Sequence, residues 1–160
     1  MTGKIKSLPA LARIVAGLKK RGRRIVFTNG CFDILHVGHV DYLRRARKMG
    51  DVLIIGLNSD SSVRRLKGAS RPINKERDRA TIISALWFVD YVTIFNEDTP
   101  EALVRKIKPD IMVKGSDWKG KCVAGADFVK SRGGRVRMVP LVKGHSTTST
   151  IKKLKHSLNV

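Results

Sequence analysis

Two histidines flank a glycine near the end of the stretch Thr28–His39, whose sequence is TNGCFDILHVGH. His36 and His39 are three residues apart, so their side chains share a face if that turn is helical. An imidazole can donate a hydrogen bond to phosphate, and such donors stabilise charge on a bridging oxygen as pyrophosphate leaves a triphosphate. The pair therefore favours a phosphate-handling site. The alternatives are a zinc site, although no Glu separates the pair and no third ligand is evident, and histidines with a core or capping role.

Two glycines in the same stretch support contact with phosphate. Gly30 and Gly38 carry no Cβ, so a ligand can approach the backbone closely at both positions. Gly38 falls in the first turn of a predicted helix, where unpaired N–H groups and the positive end of the helix dipole attract anions. Open α/β sheets bind ligands outside the carboxyl ends of their strands, and this stretch directly follows the apolar run Ile25–Phe27. The sequence therefore predicts a nucleotide at this position.

Apolar runs that suit buried parallel strands alternate along the chain with amphipathic stretches. The predicted strands are Ile25–Thr28, Val52–Leu57, Tyr91–Phe95, Ile111–Val113 and Val136–Val139. The predicted helices are Leu8–Lys20, Val37–Met49, Asn74–Phe88, Pro100–Ile107, Ala124–Ser131 and Thr147–Leu158. The alternation predicts an α/β fold, a Rossmann-like three-layer sandwich with a five-stranded parallel sheet. We expect a single domain over residues 1–160, with a core of about 24–154 after an N-terminal helix and a mobile segment, RRLKGASRPINK, at residues 64–75.

The composition is strongly basic. The chain has 160 residues and a formal net charge of +20 at pH 7, a field that attracts nucleic acid, anionic membranes or small phosphorylated substrates. The basic residues are spread along the chain and aromatic residues make up only 6% of it, which disfavours a stacking platform for single-stranded nucleic acid. We interpret the charge mostly as a solvated surface that steers anions, and we expect neither a nucleic acid nor a membrane partner. A basic nucleic-acid-binding protein remains the alternative of a different class.

The cysteines and the N-terminus favour a cytoplasmic protein. Cys31 and Cys122 are far apart and form no CxxC pair, a pattern that suits a reducing compartment. No apolar stretch reaches the roughly 18 residues of a membrane span, and the N-terminal residues lack a signal-peptide core. We therefore expect a cytoplasmic location.

The stretch Thr28–His39 resembles the signature of the nucleotidyltransferase superfamily, which carries an HxGH motif. Other stretches resemble one branch of it, the D-glycero-β-D-manno-heptose 1-phosphate adenylyltransferases. These stretches are NSDSSVRRLKGASRPIN, ERDRATIISALWFVDYV, EDTPEALVRKIKPDIMVKGSDW, VAG and GHSTTSTIKKL. The resemblance extends from about Arg24 to Leu154, so it covers nearly the whole chain.

The resemblance implies an adenylyltransferase with ATP as substrate and Mg²⁺ as cofactor. In that reaction an oxygen of the sugar 1-phosphate attacks the α-phosphorus of ATP, giving ADP-heptose and pyrophosphate for lipopolysaccharide or other heptose-containing glycans. The attacking phosphate is already an anion, so no general base is needed. The resemblance also implies a homodimer, and its members occur alone or fused to a kinase. A basic, free-standing domain suggests a separate heptose kinase as a pathway partner.

By resemblance, four parts of the chain contribute to the site, and no metal ligand is assigned. The triphosphate and the transition state are bound by His36 and His39 around Gly38, with Lys67 and Arg79 reaching phosphates. The nucleotide pocket is lined from the first loop by Thr28, Asn29, Gly30 and Phe32. Residues from two later segments meet the ribose and the phosphates: Lys114, Gly115 and Asp117, and Ser146, Thr147 and Thr148.

Several of these roles have a plainer alternative. Asp33 orients the loop or reaches the magnesium shell, but it is equally a carboxylate at a turn or helix start. Lys67 is a phosphate ligand or a solvated lysine, and Arg79 is a phosphate ligand or half of a surface salt bridge. The hydroxyl residues that begin the last helix are also ordinary N-caps.

The sequence departs from its relatives at two points that concern the substrates. Glycerol-phosphate cytidylyltransferases carry a nucleotide-binding arginine where this chain has Leu141, which disfavours CTP. Conversely, SDWKGK is similar to a DWEG stretch of that branch, whereas heptose enzymes more often have a GGDY-like stretch. A cytidylyltransferase acting on glycerol 3-phosphate or another alcohol phosphate therefore remains the alternative within the same chemistry. His145, which precedes the stretch STT, has no assigned role.

Overall fold

A five-stranded parallel sheet forms the centre of the molecule. The computed structural model describes residues 3–142 and 144–158. The strands are β1 (Ile25–Gly30), β2 (Val52–Asn58), β3 (Tyr91–Phe95), β4 (Ile111–Gly115) and β5 (Arg135–Val139). The helices are α1 (Leu8–Lys20), α2 (Val37–Arg47), α3 (Asp60–Lys67), α4 (Glu76–Ser84), α5 (Glu101–Ile107), α6 (Ala126–Ser131) and α7 (Thr147–Leu158), and a 3-10 turn at Ser116–Trp118 follows β4. The predicted α/β three-layer fold is confirmed.

The strand order is β3-β2-β1-β4-β5, with every neighbouring pair parallel. The chain builds outward from β1 to β3 and then crosses back to add β4 and β5 on the other side. The order therefore reverses between β1 and β4, and open sheets bind their ligands at this point.

Helices cover both faces of the sheet, and each face has its own apolar core. On one face α2 and α4 pack on the sheet through Leu43, Ala46 and Ile83. On the other face α1, α5 and α6 pack through buried residues that include Leu11 and Val104. Because both faces are covered, β2 is buried along its whole length, which explains its unbroken apolar sequence.

The structure differs from the sequence-based prediction at the carboxyl ends of two strands and in the segment after β2. β1 and β4 each continue two residues further than predicted, to Gly30 and Gly115. Residues 60–67, which have no clear apolar periodicity, form the unpredicted helix α3. Its N-cap is Ser59, whose side chain accepts the backbone N–H of Ser62 at 3.2 Å. The first four residues of the segment predicted to be mobile therefore belong to a capped helix.

Other boundaries moved by a few residues. The helix predicted over Asn74–Phe88 is the shorter α4, and the residues up to Val89 form turns. At one edge of the sheet the N-terminal segment makes an unpredicted parallel bridge between Ile5 and Val92 of β3. Among the described residues, no helix has the length and apolar character needed to cross a bilayer.

Candidate functional site

A crevice lies between the carboxyl ends of β1 and β4. The two strands pair only at Val26 with Ile111 and at Phe27 with Met112. By contrast, β1 pairs with β2 over all six of its residues. The end of the β1–β4 ladder leaves the last residues of both strands available to a ligand at the point where strand order reverses.

Tyr42 of α2 closes the bottom of this crevice. Its hydroxyl donates to the carbonyl oxygen of Val113 at 3.0 Å and lies 2.7 Å from Oγ1 of Thr28. Because the single phenolic proton goes to Val113, the Thr28 hydroxyl is the donor in the second bond. The Thr28 side chain is fully buried and its hydroxyl is bound within the protein, so the side chain is not available to a ligand.

Lys114 lies on the β4 side of the crevice with a side chain that is almost wholly buried. Its Nζ donates to Oδ1 of Asn29 at 2.6 Å and lies 4.7 Å from the centre of the Trp118 ring. Burial lowers the pKa of Lys114 to about 8, and the Asp117 carboxylate opposes that shift. Only one of the three N–H donors of the ammonium has an acceptor among the described residues, so the others remain for an anion.

His36 and His39 stand at the N-terminus of α2 as a stacked pair. Their ring centres are 3.8 Å apart with 23° between the planes, and the edge of Phe32 packs against His39. His36 is the N-cap residue of α2, and His39 lies in its first turn. The Nδ1 atoms of both rings are buried without a hydrogen-bond partner in the described part of the chain. Buried polar atoms are normally paired, so the two unpaired nitrogens set this pair apart from histidines with a purely structural role.

Both histidines are neutral near pH 7 in the free protein. Burial lowers the pKa of His39 to about 4, with a further contribution from His36. Burial and the neighbouring His145 also lower the pKa of His36. A polyphosphate placed against the rings favours their charged forms, because an opposite charge raises the pKa of a histidine. The two imidazoles can therefore become positively charged when a polyphosphate binds beside them.

Because Gly38 has no side chain, the His36 ring can pack directly against its backbone. A Cβ on residue 38 would lie 3.0 Å from Cε1 and Nδ1 of His36 and 3.5 Å from the Cβ of His145. A Cβ on Gly30 would likewise lie 3.0 Å from the Phe32 ring. Both glycines therefore allow aromatic rings to line the loop, and any side chain at residue 38 would displace the stacked imidazole.

Asp33 joins three segments around the site. Its side chain is fully buried and accepts hydrogen bonds from Nε of Arg71 at 2.8 Å, from the N–H of Ile73 at 2.8 Å and from the N–H of Asn74 at 3.0 Å. Its carbonyl oxygen accepts the Thr147 hydroxyl of α7 at 2.7 Å. Burial raises the pKa of Asp33, but the three donors outweigh it and hold the pKa below its usual value. Of the roles open to Asp33, orienting the loop matches these contacts.

The loop around Asp33 is strained. Phe32 and Ile34, the two residues that flank it, have left-handed φ values of 43° and 46°. Such a backbone costs roughly 1–3 kcal/mol per residue and persists only where its surroundings hold it in place. The four hydrogen bonds of Asp33 supply that restraint directly between the two strained residues.

Arg79 lies beneath the loop and is 1% exposed. It donates to the carbonyl oxygens of Asn74 at 2.9 Å, Cys31 at 2.5 Å and Asn58 at 2.9 Å, and to Oδ1 of Asp60 at 2.8 Å. Four of its five N–H groups are therefore used within the protein. The sequence-based interpretation placed this guanidinium against phosphate or in a surface salt bridge. The structure instead gives it the position of a clamp between the site loop, β2 and α3.

The first turn of α7 packs against the same loop. Ser146 and Ser149 cap each other: the N–H of Ser149 donates to Oγ of Ser146 at 3.0 Å, and the N–H of Ser146 donates to Oγ of Ser149 at 3.2 Å. Thr147 fixes the helix to Asp33, and Thr148 is exposed. Ser146 thus serves as an N-cap, and Thr147 is the residue that connects α7 to the HxGH loop.

The remaining candidates lie around the rim of the crevice. Lys67 is the exposed last residue of α3, close enough to Cys31 for its charge to oppose the rise in thiol pKa that burial causes. Asp117 is exposed in the 3-10 turn after β4. A Cβ on Gly115 would contact the Asp117 carboxylate and lie 3.0 Å from Leu141, so this glycine keeps β4 open at its carboxyl end.

The described residues contain no group of three or more His, Cys, Asp or Glu side chains that could hold a metal ion. Asp33, three residues before His36, already accepts three donors, and Asp41, two residues after His39, is paired with Arg44 and Arg45. Mg²⁺ commonly binds through substrate phosphates and water with few protein ligands. The site therefore fits a magnesium ion that arrives on a triphosphate.

The chain also matches a known protein family. The model of the cytidylyltransferase-like family matches residues 27–153. The chain belongs to this family. Membership makes it a nucleotidyltransferase, as the sequence predicted.

Two relatives are identical to the chain at more than half of the aligned positions. The chain is 56% identical over 156 residues to the bifunctional protein HldE of Campylobacter concisus. The aligned region covers 98% of the chain and 32% of that relative. The chain is 57% identical over 152 residues to the bifunctional protein HldE of Geotalea uraniireducens. Here the aligned region covers 95% of the chain and 31% of that relative. The chain therefore spans about a third of the length of these relatives.

Solved structures show the same fold. A lipopolysaccharide core biosynthesis protein from Thermoplasma volcanium superposes with a TM-score of 0.64 at 33% identity, over 78% of this chain and all of that one. A pantoate–β-alanine ligase from Francisella tularensis superposes with a TM-score of 0.59 at 14% identity, over 98% of this chain and 78% of that one. The second likeness concerns the fold alone.

The structure brings most of the predicted residues together around the crevice, some on its surface and others behind it. Asn29, Lys114, the two histidines and Gly38 line the crevice. Other predicted residues, among them Thr28 and Arg79, lie behind it with their polar groups bound. Sequence reasoning missed Tyr42, and its only signal was a tyrosine at a core-facing position of α2. It left His145 unassigned, and the structure places that residue against the His36–Gly38 turn.

Proposed function

We propose that this nucleotidyltransferase is an adenylyltransferase that transfers AMP from ATP to a heptose 1-phosphate, with D-glycero-β-D-manno-heptose 1-phosphate as the acceptor. The stacked histidines carry the proposal, because their two buried Nδ1 atoms lack partners at a helix N-terminus beside the crevice. The names of the relatives, bifunctional HldE and a lipopolysaccharide core biosynthesis protein, support a place in heptose metabolism. Leu141, in place of a nucleotide-binding arginine, supports ATP over CTP.

In this mechanism an oxygen of the sugar phosphate attacks the α-phosphorus of ATP and the bond to the bridging oxygen of pyrophosphate breaks. Negative charge moves onto that bridging oxygen as the bond lengthens. His36 and His39 hydrogen-bond to the phosphates there, and their pKa values rise in its field, so they counter the charge as it develops. No proton needs to leave the nucleophile, which explains why a site without a free carboxylate next to the histidines suffices.

Lys114 binds the nucleotide from the opposite wall of the crevice. Its ammonium is held by Asn29 and by the Trp118 face, so it is positioned before the ligand arrives. Positioned charges in a dry site cost no reorganisation during reaction and act more strongly than charges in water. Mg²⁺ carried by the triphosphate supplies further neutralisation of the phosphate charge.

Arg79 and Asp33 are positioning residues in this proposal. Arg79 fixes the carbonyl of Cys31 in the loop, and Asp33 holds the strained turn that leads to His36. Lys67, at the open end of α3, is the cation left to reach a phosphate from that side. Thr28, Gly30, Phe32, Gly115 and Asp117 shape the pocket, and Ser146, Thr147 and Thr148 place the last helix over it.

The proposal extends to the enzyme that supplies the substrate, the cellular location and the oligomeric state. A heptose kinase, separate or fused as a second activity, must supply the sugar 1-phosphate. We infer a cytoplasmic location because Cys31 and Cys122 are both free thiols. A homodimer completes the proposed partners, and mass measurement in solution tests it.

The decisive experiment measures pyrophosphate release in the presence of Mg²⁺ with each of four substrate pairs: ATP or CTP with heptose 1-phosphate or glycerol 3-phosphate. We expect release with ATP and heptose 1-phosphate alone. Release with CTP and glycerol phosphate would move the protein to cytidylyl transfer, which the family description and the SDWKGK stretch favour as the second candidate.

The histidine assignment is tested separately with His36→Ala and His39→Ala. Each variant removes a donor that acts on the developing charge, so turnover falls by roughly 100-fold or more while circular dichroism stays unchanged. His156→Ala is the matched control, because His156 is exposed on α7 and away from the loop. Wild-type rates in both site variants would end the assignment.

A further inference from the structure

The edge of the sheet opposite the crevice is formed by the starts of the strands, and it also carries the C-terminal ends of four helices. In a parallel α/β fold each helix ends where the next strand begins. Thus α1, α2, α5 and α6 end directly before β1, β2, β4 and β5. We call this surface the strand-start edge. The six residues of β1 place it about 20 Å from the crevice.

Carboxylates at the strand-start edge are already neutralised. Asp51, Asp90 and Asp110 precede β2, β3 and β4, and each accepts a backbone N–H of a neighbouring strand or strand start at 2.7 Å. Each also pairs with a cation: Asp90 with Arg47 at 3.1 Å and Asp110 with Lys19 at 2.7 Å, for example. They hold the strand starts together and leave no free negative charge to balance the rest of the edge.

Cations remain in excess on this edge. Six exposed basic side chains there have no carboxylate oxygen within 4.0 Å of their charged nitrogens among the described residues: Lys20, Arg24, Lys48, Lys108, Arg132 and Arg135. One cation per helix end is the ordinary complement to the helix dipole. Here they come from helix ends in both layers, from the residue before β1 and from the first residue of β5, so they spread across the whole edge.

An exposed tryptophan lies on the same edge. Trp87 is 82% exposed and sits in the turn between α4 and β3, with its ring edge against Phe88. The carbonyl of Leu86, the residue before Trp87, accepts a hydrogen bond from Nζ of Lys4 at 3.0 Å, so a lysine is held at this turn. Tryptophan concentrates at the boundary between water and lipid, where its amphipathic ring suits both.

We propose that the strand-start edge docks the protein on an anionic lipid bilayer, with Trp87 in the headgroup region and the crevice facing away from the membrane. An anionic bilayer attracts each nearby Lys or Arg through a diffuse field and needs no close backbone contact. The cations at this edge extend over both layers of the molecule, which matches a plane of charge. This attachment revises the expectation that the protein has no membrane partner and accounts for part of the +20 charge.

The same features fit nucleic acid less well. Proteins that bind single strands stack bases on several aromatic side chains, and Trp87 is the one exposed aromatic at this edge in the part of the chain that the structure describes. Duplex DNA is bound through Arg and Lys side chains together with backbone N–H groups and helix N-termini, which bring phosphates close to the main chain. This edge instead presents helix C-termini, whose carbonyl groups disfavour a closely bound phosphate.

The test compares two triple variants that remove the same charge. The edge variant carries Lys48→Gln, Lys108→Gln and Arg132→Gln, which are the C-cap residues of α2, α5 and α6. The control variant carries Arg13→Gln, Arg77→Gln and Arg137→Gln, which are exposed residues elsewhere on α1, α4 and β5. Co-sedimentation is measured with vesicles of phosphatidylcholine containing about one third phosphatidylglycerol, and with vesicles of phosphatidylcholine alone.

We expect the wild type to bind only the anionic vesicles and to dissociate as salt rises. The edge variant should partition roughly 100-fold more weakly, since each cation near the surface contributes about fivefold, and the control variant should stay close to wild type. In a Trp118→Phe background the emission of Trp87 should shift to the blue on anionic vesicles. Pyrophosphate release by the edge variant should match wild type, which separates this proposal from the catalytic one.

Two outcomes overturn the proposal. Equal losses in the two triple variants would show an unoriented effect of net charge. A short duplex DNA that binds more tightly than the vesicles, with affinity lost only in the edge variant, would assign the edge to nucleic acid instead.

Discussion

Lys114 carries a charge that changes in the pH range in which an enzyme of this kind is assayed. Burial lowers its pKa to about 8, so the ammonium of the free protein loses its proton as the pH rises through that value. We expect the KM for the nucleotide to increase between about pH 7 and pH 9, because a neutral amine attracts the phosphates less. Lys114→Arg keeps its charge throughout, so its KM should stay flat. Parallel pH profiles in wild type and variant would assign the change to another group.

His39 makes the free energy of unfolding depend on pH in the acid range. The unfolded chain binds a proton at this residue near pH 6.5, whereas burial lowers the pKa in the folded protein to about 4. The folded state therefore binds fewer protons between these values, and the free energy of unfolding falls as pH drops from 6.5 towards 4. The loss is on the order of 3 kcal/mol at the lower limit.

Urea unfolding at about pH 7 and pH 4.5 measures this loss. His39→Gln should lose less stability over that interval than wild type, and His156→Gln, on exposed α7, should lose as much as wild type. Equal losses in all three proteins would mean that the acid sensitivity arises elsewhere.

The sequence predicted which residues meet at the site better than it predicted what each one does. The motif placed His36 and His39 after a strand and at a helix start, because local spacing decides both features. The roles of Asp33 and Arg79 depend on partners 38 to 48 residues away, such as Arg71 and Cys31. Spacing along the chain contains no information about those contacts, so the sequence left a carboxylate and a guanidinium with several possible roles.

At the scale of elements, the loop Cys31–Leu35 depends on Asp33. In Asp33→Asn the side chain loses its charge and one acceptor oxygen becomes a donor, so the bonds to Arg71 and to two backbone N–H groups cannot all form. Breaking a buried ion pair on one side costs about 3–5 kcal/mol. We expect the free energy of unfolding to fall by that amount. We also expect turnover to fall strongly, because the loop no longer holds the two histidines in position.

Hydrogen exchange locates the effect of this change. The N–H groups of Ile73 and Asn74 should exchange faster in Asp33→Asn, while the amides of β5 keep their protection. Asp41→Asn is the control, because Asp41 also pairs with two arginines but on the outer surface of α2. Comparable exchange at Ile73 in the two variants would contradict a loop-holding role for Asp33.

The helix that sequence reasoning missed shows why the other elements were found. The strands and α1 have apolar residues at the spacing of their buried faces, and those patterns are local. The sequence of α3, DSSVRRLK, has one buried apolar residue, Val63. Its position is fixed by the Ser59 cap and by the bond from Arg65 to Asp98, a contact across 33 residues. A short polar helix of this kind follows from its neighbours in the fold.

At the scale of the whole molecule, the charge of +20 includes the cations of the strand-start edge and the cations around the crevice, among them Lys114 and Lys67. Anionic substrates approach the crevice, so their association should be accelerated by the field and slowed by salt. We expect kcat/KM for pyrophosphate release to fall severalfold between about 0.02 M and 0.3 M salt, with little change in kcat.

The two triple variants show which charges produce this salt dependence. The strand-start edge is about 20 Å from the crevice, more than two Debye lengths at physiological salt, where the screening length is about 8 Å. Removing its cations should therefore leave kcat/KM and its salt slope near wild type above about 0.15 M, while vesicle binding is lost. By contrast, removing a single positive charge at the rim with Lys67→Gln should lower kcat/KM directly. If the edge variant lost steering as well, the charge would act as one field, and the two surfaces would not have separate functions.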